Sequence, residues 1–372
     1  MQTLRRSPNP ILVAAGMVGL ITLAIIVLFI YPKVKHQWTA PLGPGLELPT
    51  YTLTAPNPKS TEVTVGLVTQ ANTQSESRSP TLTVVPSTTT LTPTATPKPL
   101  CGGPPFMTIL AIGADSGNDY RYGLADVIRI VRVDFVTPKV SVLSMPRDLW
   151  VEIPGISDHY NITHGKLNQA YFYGGPGMGY YDGPGEGPGL LARTFDLNFG
   201  LRVDHYTAVN MQTFVKIVDA VGGIDIYLPT DVDGRPIDDK TEDMGYFTAG
   251  QHHFNGDQAL RFSRIRKKYN DFTRMSNQNM VLCALREKTL SASVLPKIPQ
   301  IIAAFQGSVL TDLSLEQLSQ LACLAPKVGR ENLIFTSLPQ EIMEPGRVYS
   351  PSLNGETFIM QADYAVVREY IS

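Results

Sequence analysis

The sequence predicts an α/β fold, an α-β-α sandwich with a central mixed sheet, preceded by one transmembrane helix. Three observations predict it. Strand-like and helix-like runs alternate between about 104 and 290, residues 11–31 form an uncharged apolar run, and a stretch rich in Thr, Pro and Ser lies between the two. Alternating strands and helices are the pattern of a layered α/β domain, and 43% hydrophobic with 17% charged residues is ordinary globular composition.

The run ILVAAGMVGLITLAIIVLFI with Tyr31 matches the roughly 20 residues needed to cross a bilayer. A cleaved signal peptide fits less well, because the run exceeds an h-region of about 7 to 15 residues and no small-x-small cleavage site follows it. Residues 1–10 are then a short cytoplasmic head and 11–31 an uncleaved signal anchor. Arg5 and Arg6 before the span are matched by Lys33 and Lys35 after it, so charge alone does not orient it. Residues 32–103, most biased from about Thr39 to Lys98, hold too few large apolar side chains to fold. As a stalk, the roughly 60 residues from Thr39 to Lys98 span on the order of 40 Å. Such a reach places the following domain off the outer face of a cell membrane, as a single-pass protein.

The domain itself is expected at 104–290. FMTILAIGAD (106–115) reads as a buried strand, DVIRIVRVDFV (126–136) alternates at the strand period, and VSVLSMP (140–146) follows after a turn at Pro138. If neighbours pair antiparallel, the ends of these strands bring Asp115, Asp126 and Arg147 to one sheet edge. A glycine-proline stretch at 174–189 is expected to be a mobile flap or a neutral insertion. LLARTFDLNFG reads as a helix, RVDHYTAVN as a strand, MQTFVKIVDAVGG as a helix and IDIYLP as a strand. FNGDQALRF is a short helix opened by Asn255, and 271–290 a helix with Asp271 at its cap. Residues 291–372 form a C-terminal extension, packed on the domain or completing it, with helices at LEQLSQLACLA and QADYAVVREYI and a strand at NLIFTSLP.

Between those last two helices of the domain sits SRIRKKYNDFTR, a basic run in a chain whose formal net charge is only −2. Arg264 and Arg266 are expected just past the end of the short helix, where an extended segment points both guanidiniums the same way. That fork suits a phosphate-type anion; a solvated basic loop is the alternative. Asp115 and Asp126 are singly a turn former and a strand cap, but together, beside arginines, they suit Mg2+ held partly by phosphate oxygens. Of the three cysteines, Cys101, Cys283 and Cys323, the pair Cys283 and Cys323 either forms a disulfide or packs as two buried thiols. His159, His164, His252 and His253 have no convincing ligand spacing.

ILAIGAD, ADVIRIVRVD, VSVLSMPRDLWVEIPG, KLNQAYFYGG, VNMQTFVKIVDAVGGIDI, GQHHFNGDQALRFSRIRK and DFTRMSNQ occur in this order over about 106–290. The set resembles the LytR-CpsA-Psr family of envelope glycopolymer transferases. The resemblance implies an α/β sandwich holding a polyprenyl (pyro)phosphate lipid, and transfer of the glycopolymer-1-phosphate from that carrier to a peptidoglycan hydroxyl. It also implies Asp115 and Asp126 as Mg2+ carboxylates and Arg147, Arg264 and Arg266 as the phosphate grip. Arg274 and Gln278 match the family's remaining polar pair, and Asp271 its acidic residue near the reacting centre, a candidate base. The family's arginine two residues before the second aspartate is Leu124 here; Arg121 is the nearest substitute. The same residues would serve a lipid pyrophosphatase, or a non-catalytic lipid- or envelope-binding module. Nucleic acid is not an expected partner, since the head is too short for a DNA-binding module and no helix-turn-helix pattern stands out.

Overall fold

Strand alternation and helix capping between 106 and 290 produce the expected elements, with shifted ends. The structure is a computed structural model that describes residues 31–48 and 97–372, except 118, 267, 306 and 352. The expected span, apart from Tyr31, and the bulk of the expected stalk (49–96) lie outside these residues. Among the described residues no helix is long and apolar enough to cross a membrane.

Helix α1 (Tyr31–Thr39) is followed by β1 (Phe106–Ser116), β2 (Gly123–Asp134) and β3 (Lys139–Met145), an antiparallel meander. Next come the short pair β4 (Trp150–Glu152) and β5 (His164–Lys166), helices α2 (Leu167–Gly174) and α3 (Glu186–Phe199), and β6 (His205–Asn210), which pairs with β1 in parallel. Helix α4 (Met211–Ala220) leads into β7 (Ile224–Leu228), β8 (Val232–Asp233), β9 (Tyr246–Phe247), β10 (Gly250–Phe254), α5 (Gly256–Arg264) and α6 (Asp271–Thr289). The C-terminal segment supplies α7 (Ile298–Phe305), β11 (Leu310–Thr311), α8 (Leu315–Leu324), β12 (Leu333–Ser337), the hairpin β13 (Met343–Ser350) and β14 (Gly355–Ala362), and α9 (Tyr364–Ile371). The central sheet runs β11-β6-β1-β2-β3-β12 and is mixed, with β12 parallel to β3.

One face of this sheet, Leu110, Ile112, Ile128 and Ile130, packs against Leu167, Leu190 and Phe195 of α2 and α3. On the other face Met107, Ile109 and Val133 pack with Leu313, just before α8, and Leu324 of α8. A separate cluster, including Val218, Ile224, Phe254, Phe262 and Val281, joins α4, α5 and α6 to β7 and β10. Each such fully buried side chain contributes about 1.5–3 kcal/mol. Helices α4, α5 and α8 start where Asn210, Asn255 and Ser314 accept a backbone N–H of the first turn, caps worth about 1 kcal/mol each.

The domain does not begin at 104. Leu46 is buried in the main core, the Tyr206 hydroxyl donates to the Pro44 carbonyl, and the Leu100 N–H donates to the Phe135 carbonyl. Composition misassigned these flanks to the stalk because one leucine and a few backbone bonds fix them, not a periodic pattern. Part of the glycine-proline stretch is built into the fold. Helix α3 starts inside it at Glu186, with Pro188 in the first turn, where a missing N–H costs nothing, and Tyr180 stacks on His159 at 4.5 Å. Asn270, not Asp271, caps α6, and Asp271 is its first residue.

The cysteine pairing also differs. Cys101 bonds Cys323, with Cα atoms 5.9 Å apart, and Cys283 is a half-buried free thiol. The turn holding Cys101 packs against α8, which carries Cys323, whereas Cys283 lies on α6. The bridge closes 222 residues, a loop long enough to constrain the unfolded chain strongly. Replacing both Cys101 and Cys323 by serine is expected to lower stability by about 2–5 kcal/mol in denaturant unfolding. Non-reducing peptide mapping checks the connectivity, and a Cys283–Cys323 peptide would refute it.

Candidate functional site

A gradient of side-chain size along β1 opens the site. Met107 and Ile109 cover their face of the sheet, but the next residues on that face are Ala111 and Gly113, too small to reach the α5 and α6 layer. The space left is a cavity of about 510 Å3, floored by Ala111, Gly113, Val127, Arg129, Thr207 and Val209. Phe214, Ile217, Leu260, Val281 and Leu285 wall it with apolar groups, and Arg264, Arg266, Arg274, Asp115 and Asp126 supply charge.

A β-bulge aims the second aspartate. Ala114 pairs with Ala125 but Gly113 pairs with Val127, so Asp126 is the extra residue of β2 and leaves the alternation. Gly123 sets the register. Its φ is +133°, and a Cβ there would lie 2.2 Å from the Asp115 carbonyl oxygen, so no other residue lets β2 start this close to the end of β1.

Arg147, just beyond β3, donates from Nη1 to Asp126 Oδ1 at 2.6 Å, and its Nε lies 3.4 Å from Asp148. Lys166 bonds the other oxygen of Asp148 at 2.9 Å. Burial disfavours the Arg147 charge, but the carboxylates of Asp126 and Asp148 outweigh it and raise its pKa above the usual arginine value. Arg274 is 5% exposed and holds Asp271 at 2.9 Å. There burial wins, and the pKa is lowered.

The basic run is divided among partners. Arg264 is the last residue of α5, not a residue beyond it, and pairs with Glu242 at 3.1 Å. Lys268 pairs with Asp233 at 2.7 Å. Arg266, one residue past the helix cap Ile265, makes no side-chain hydrogen bond or ion pair among the described residues. The end of α5 is fixed by α6, where Asn277 donates to the Phe262 carbonyl and Gln278 to the Ser263 carbonyl. These are carbonyls of the kind a helix end leaves unsatisfied.

The structure thus brings Asp115, Asp126, Arg264, Arg266, Arg274 and Gln278 onto one cavity. Arg147 reaches it through Asp126. Asp271 lines a second cavity of about 460 Å3, which shares Arg266 with the first and includes Asp148, Tyr269 and Phe358. Arg121, the expected substitute for the missing arginine, is exposed and does not line the cavity; Leu124 pairs with Asp115 across the strands. Sequence reasoning missed Arg129, although it is the lone charge in the series Val127, Arg129, Val131, Val133 on one face of β2. For Mg2+ the residues fit. Two carboxylates share one wall, and Asp115 has no side-chain partner among the described residues, leaving other positions to phosphate oxygens and water. Among the described residues no cluster of three or more His, Cys, Asp or Glu could hold a metal unaided.

Comparison with known proteins bears on the fold and the family. The polyisoprenyl-teichoic acid–peptidoglycan teichoic acid transferase TagU of Bacillus cereus is 31% identical over 214 residues, 57% of this chain and 62% of that protein. The regulatory protein MsrR of Staphylococcus aureus is 28% identical over 209 residues, 56% of each chain. The chain therefore spans less than two thirds of the length of these relatives. Among solved structures, B. subtilis TagV superposes with a TM-score of 0.54 at 25% identity, over 72% of this chain and 95% of that one. Streptococcus agalactiae gbs0355, with a TM-score of 0.57 at 23% identity over 72% of this chain and 86% of that one, shares the fold. The sequence model of the LytR_cpsA_psr family matches residues 86–366, three quarters of the chain, and the protein belongs to that family.

Proposed function

We propose that the protein is a membrane-anchored phosphotransferase that moves a glycopolymer from a polyprenyl-pyrophosphate carrier to a peptidoglycan hydroxyl. One observation carries this reading: a single cavity joins an apolar interior to a cluster of arginines and two aspartates, the complement of a lipid tail bearing a charged diphosphate. The names of the TagU relatives support the substrate class. The uncharged run at 11–31 and the stretch after it support an anchor with the domain on the extracytoplasmic side, as does the Cys101–Cys323 disulfide, a bond that persists in oxidising compartments.

In this reading the acceptor oxygen forms a bond to the glycopolymer-side phosphorus, the phosphoanhydride P–O bond breaks, and polyprenyl phosphate leaves with that bond's electron pair. The hydroxyl proton passes to Asp271, whose carboxylate borders the second cavity. Arg266 faces both cavities and meets the phosphate being transferred. Arg264 and Arg274 neutralise non-bridging oxygens, and Arg147 positions Asp126. Mg2+, held by Asp115 and Asp126, would supply further charge neutralisation on those oxygens. The second cavity favours transfer over hydrolysis, because it gives a sugar acceptor room beside Asp271.

Arg266→Ala is expected to lower transfer about 100- to 1,000-fold without moving the melting temperature, since its side chain holds nothing else. Arg264→Ala should give a similar loss in rate. A polymer-transfer assay with either variant near wild-type activity would refute the assignment. Chelation with EDTA should abolish transfer and Mg2+ restore it, and Asp115→Asn should raise the Mg2+ concentration needed for half-maximal rate. Full activity in EDTA would remove the metal.

A further inference from the structure

Arg129 has no part in the mechanism above, yet it is the most deeply buried guanidinium of the cavity, at 3% exposure. Strand pairing sets it opposite Ala111 on β1 and Ser144 on β3, so small neighbours leave room around its head. Its Nη1 donates to Asn279 Oδ1 at 2.5 Å and its Nη2 to Gln278 Oε1 at 3.3 Å, while its Nε makes no hydrogen bond among the described residues. Both partners are neutral amides of α6. Arg147, Arg264 and Arg274 each have a carboxylate within 3.1 Å, and among the described residues Arg129 has none.

Burial, with Arg274 nearby, lowers the Arg129 pKa to about 10, which still leaves a cation at neutral pH. The adjacent Cys283 thiol offers no counter-charge, because burial raises its own pKa. An uncompensated buried cation is costly, and an apolar residue would fill the same floor without that cost. Gln278 bridges Arg129 to the turn of α6 that carries Arg274, so the unpaired charge is continuous with the phosphate grip.

We propose that Arg129 is an anion-binding residue on the cavity floor, taking a phosphate oxygen of the ligand beneath the Arg264 and Arg266 mouth. The proposal rests on the functional reading above and adds to it a specificity element: the floor of the cavity recognises charge and does not merely enclose a lipid tail.

The test measures binding of farnesyl pyrophosphate, inorganic pyrophosphate and neutral farnesol to the purified full-length protein and to Arg129→Met and Arg129→Lys. A charge-assisted hydrogen bond of this kind corresponds to about 10- to 100-fold in affinity. Arg129→Met is expected to lose that factor for farnesyl pyrophosphate, to bind farnesol as wild type does, and to melt no lower than wild type, since it removes an unpaired buried charge. Arg129→Lys should retain most of the affinity. An equal loss for inorganic pyrophosphate would support recognition of the anion whatever its source, and a loss confined to the farnesyl compound would support a lipid-linked phosphate. Equal farnesyl pyrophosphate affinity in wild type and Arg129→Met would overturn the proposal and leave the transferase reading standing. Loss of farnesol binding together with a lowered melting temperature would overturn it in favour of a packing role. Failure of the wild type to bind either pyrophosphate would overturn both readings.

Discussion

A guanidinium taken out of water is costly unless something takes up its charge, and the organisation of this site follows from that constraint. Arg147 is answered by Asp126 and Asp148, Arg274 by Asp271, and Arg264 by Glu242. The two buried pairs, Arg147–Asp126 and Arg274–Asp271, fix their side chains before any ligand arrives, so that part of the site needs little reorganisation when one binds. The carboxylates come from four different elements. Two of these pairs cross elements: Arg147–Asp126 ties the segment after β3 to β2, and Arg264–Glu242 ties the end of α5 to the 230–245 loop.

The cavity itself is a packing consequence. A strand face that ran Met, Ile, Ile, Val would meet α5 and α6 and close the core; the run Met107, Ile109, Ala111, Gly113 cannot. The apolar walls then belong to the second hydrophobic cluster, whose residues include Val281, and the polar mouth to the ends of β1, β2 and α5. One enclosure thus acquires an apolar end and a charged end without a dedicated loop to build either.

Much of this was legible in the sequence, because period-2 and period-3.6 patterns fix which residues share a face. The meander of β1 to β3 brings the strand ends that carry Asp115, Asp126 and Arg147 to one sheet edge, as antiparallel pairing of neighbours implies, and the basic run falls at a helix end. What escaped was whatever depends on a single contact. The Cys101–Cys323 bridge joins positions 222 residues apart, with no local pattern to announce it, and Leu46 enters the core from a segment whose composition reads as stalk. The β-bulge at Asp126 shifts the alternation by one residue. Arg129 lies beyond the bulge and escaped for another reason: its burial depends on the small residues Ala111 and Ser144 opposite it on β1 and β3, which the strand's own pattern does not announce.

The C-terminal segment belongs to the same argument. Strand β12 lengthens the sheet beside β3, and the hairpin that follows is stitched to the segment carrying Arg147: the Met360 N–H donates to the Asp148 carbonyl at 2.9 Å, and Leu149 bridges to Met360. Phe358 and Met360 of the same hairpin also line the second cavity. One element therefore immobilises the backbone that carries the Arg147–Asp126 pair and shapes the space next to Asp271. Mutations in the hairpin would act on the charged site through backbone placement, with no charge of their own involved. A residue's distance in sequence from SRIR is thus a poor guide to its influence on the site.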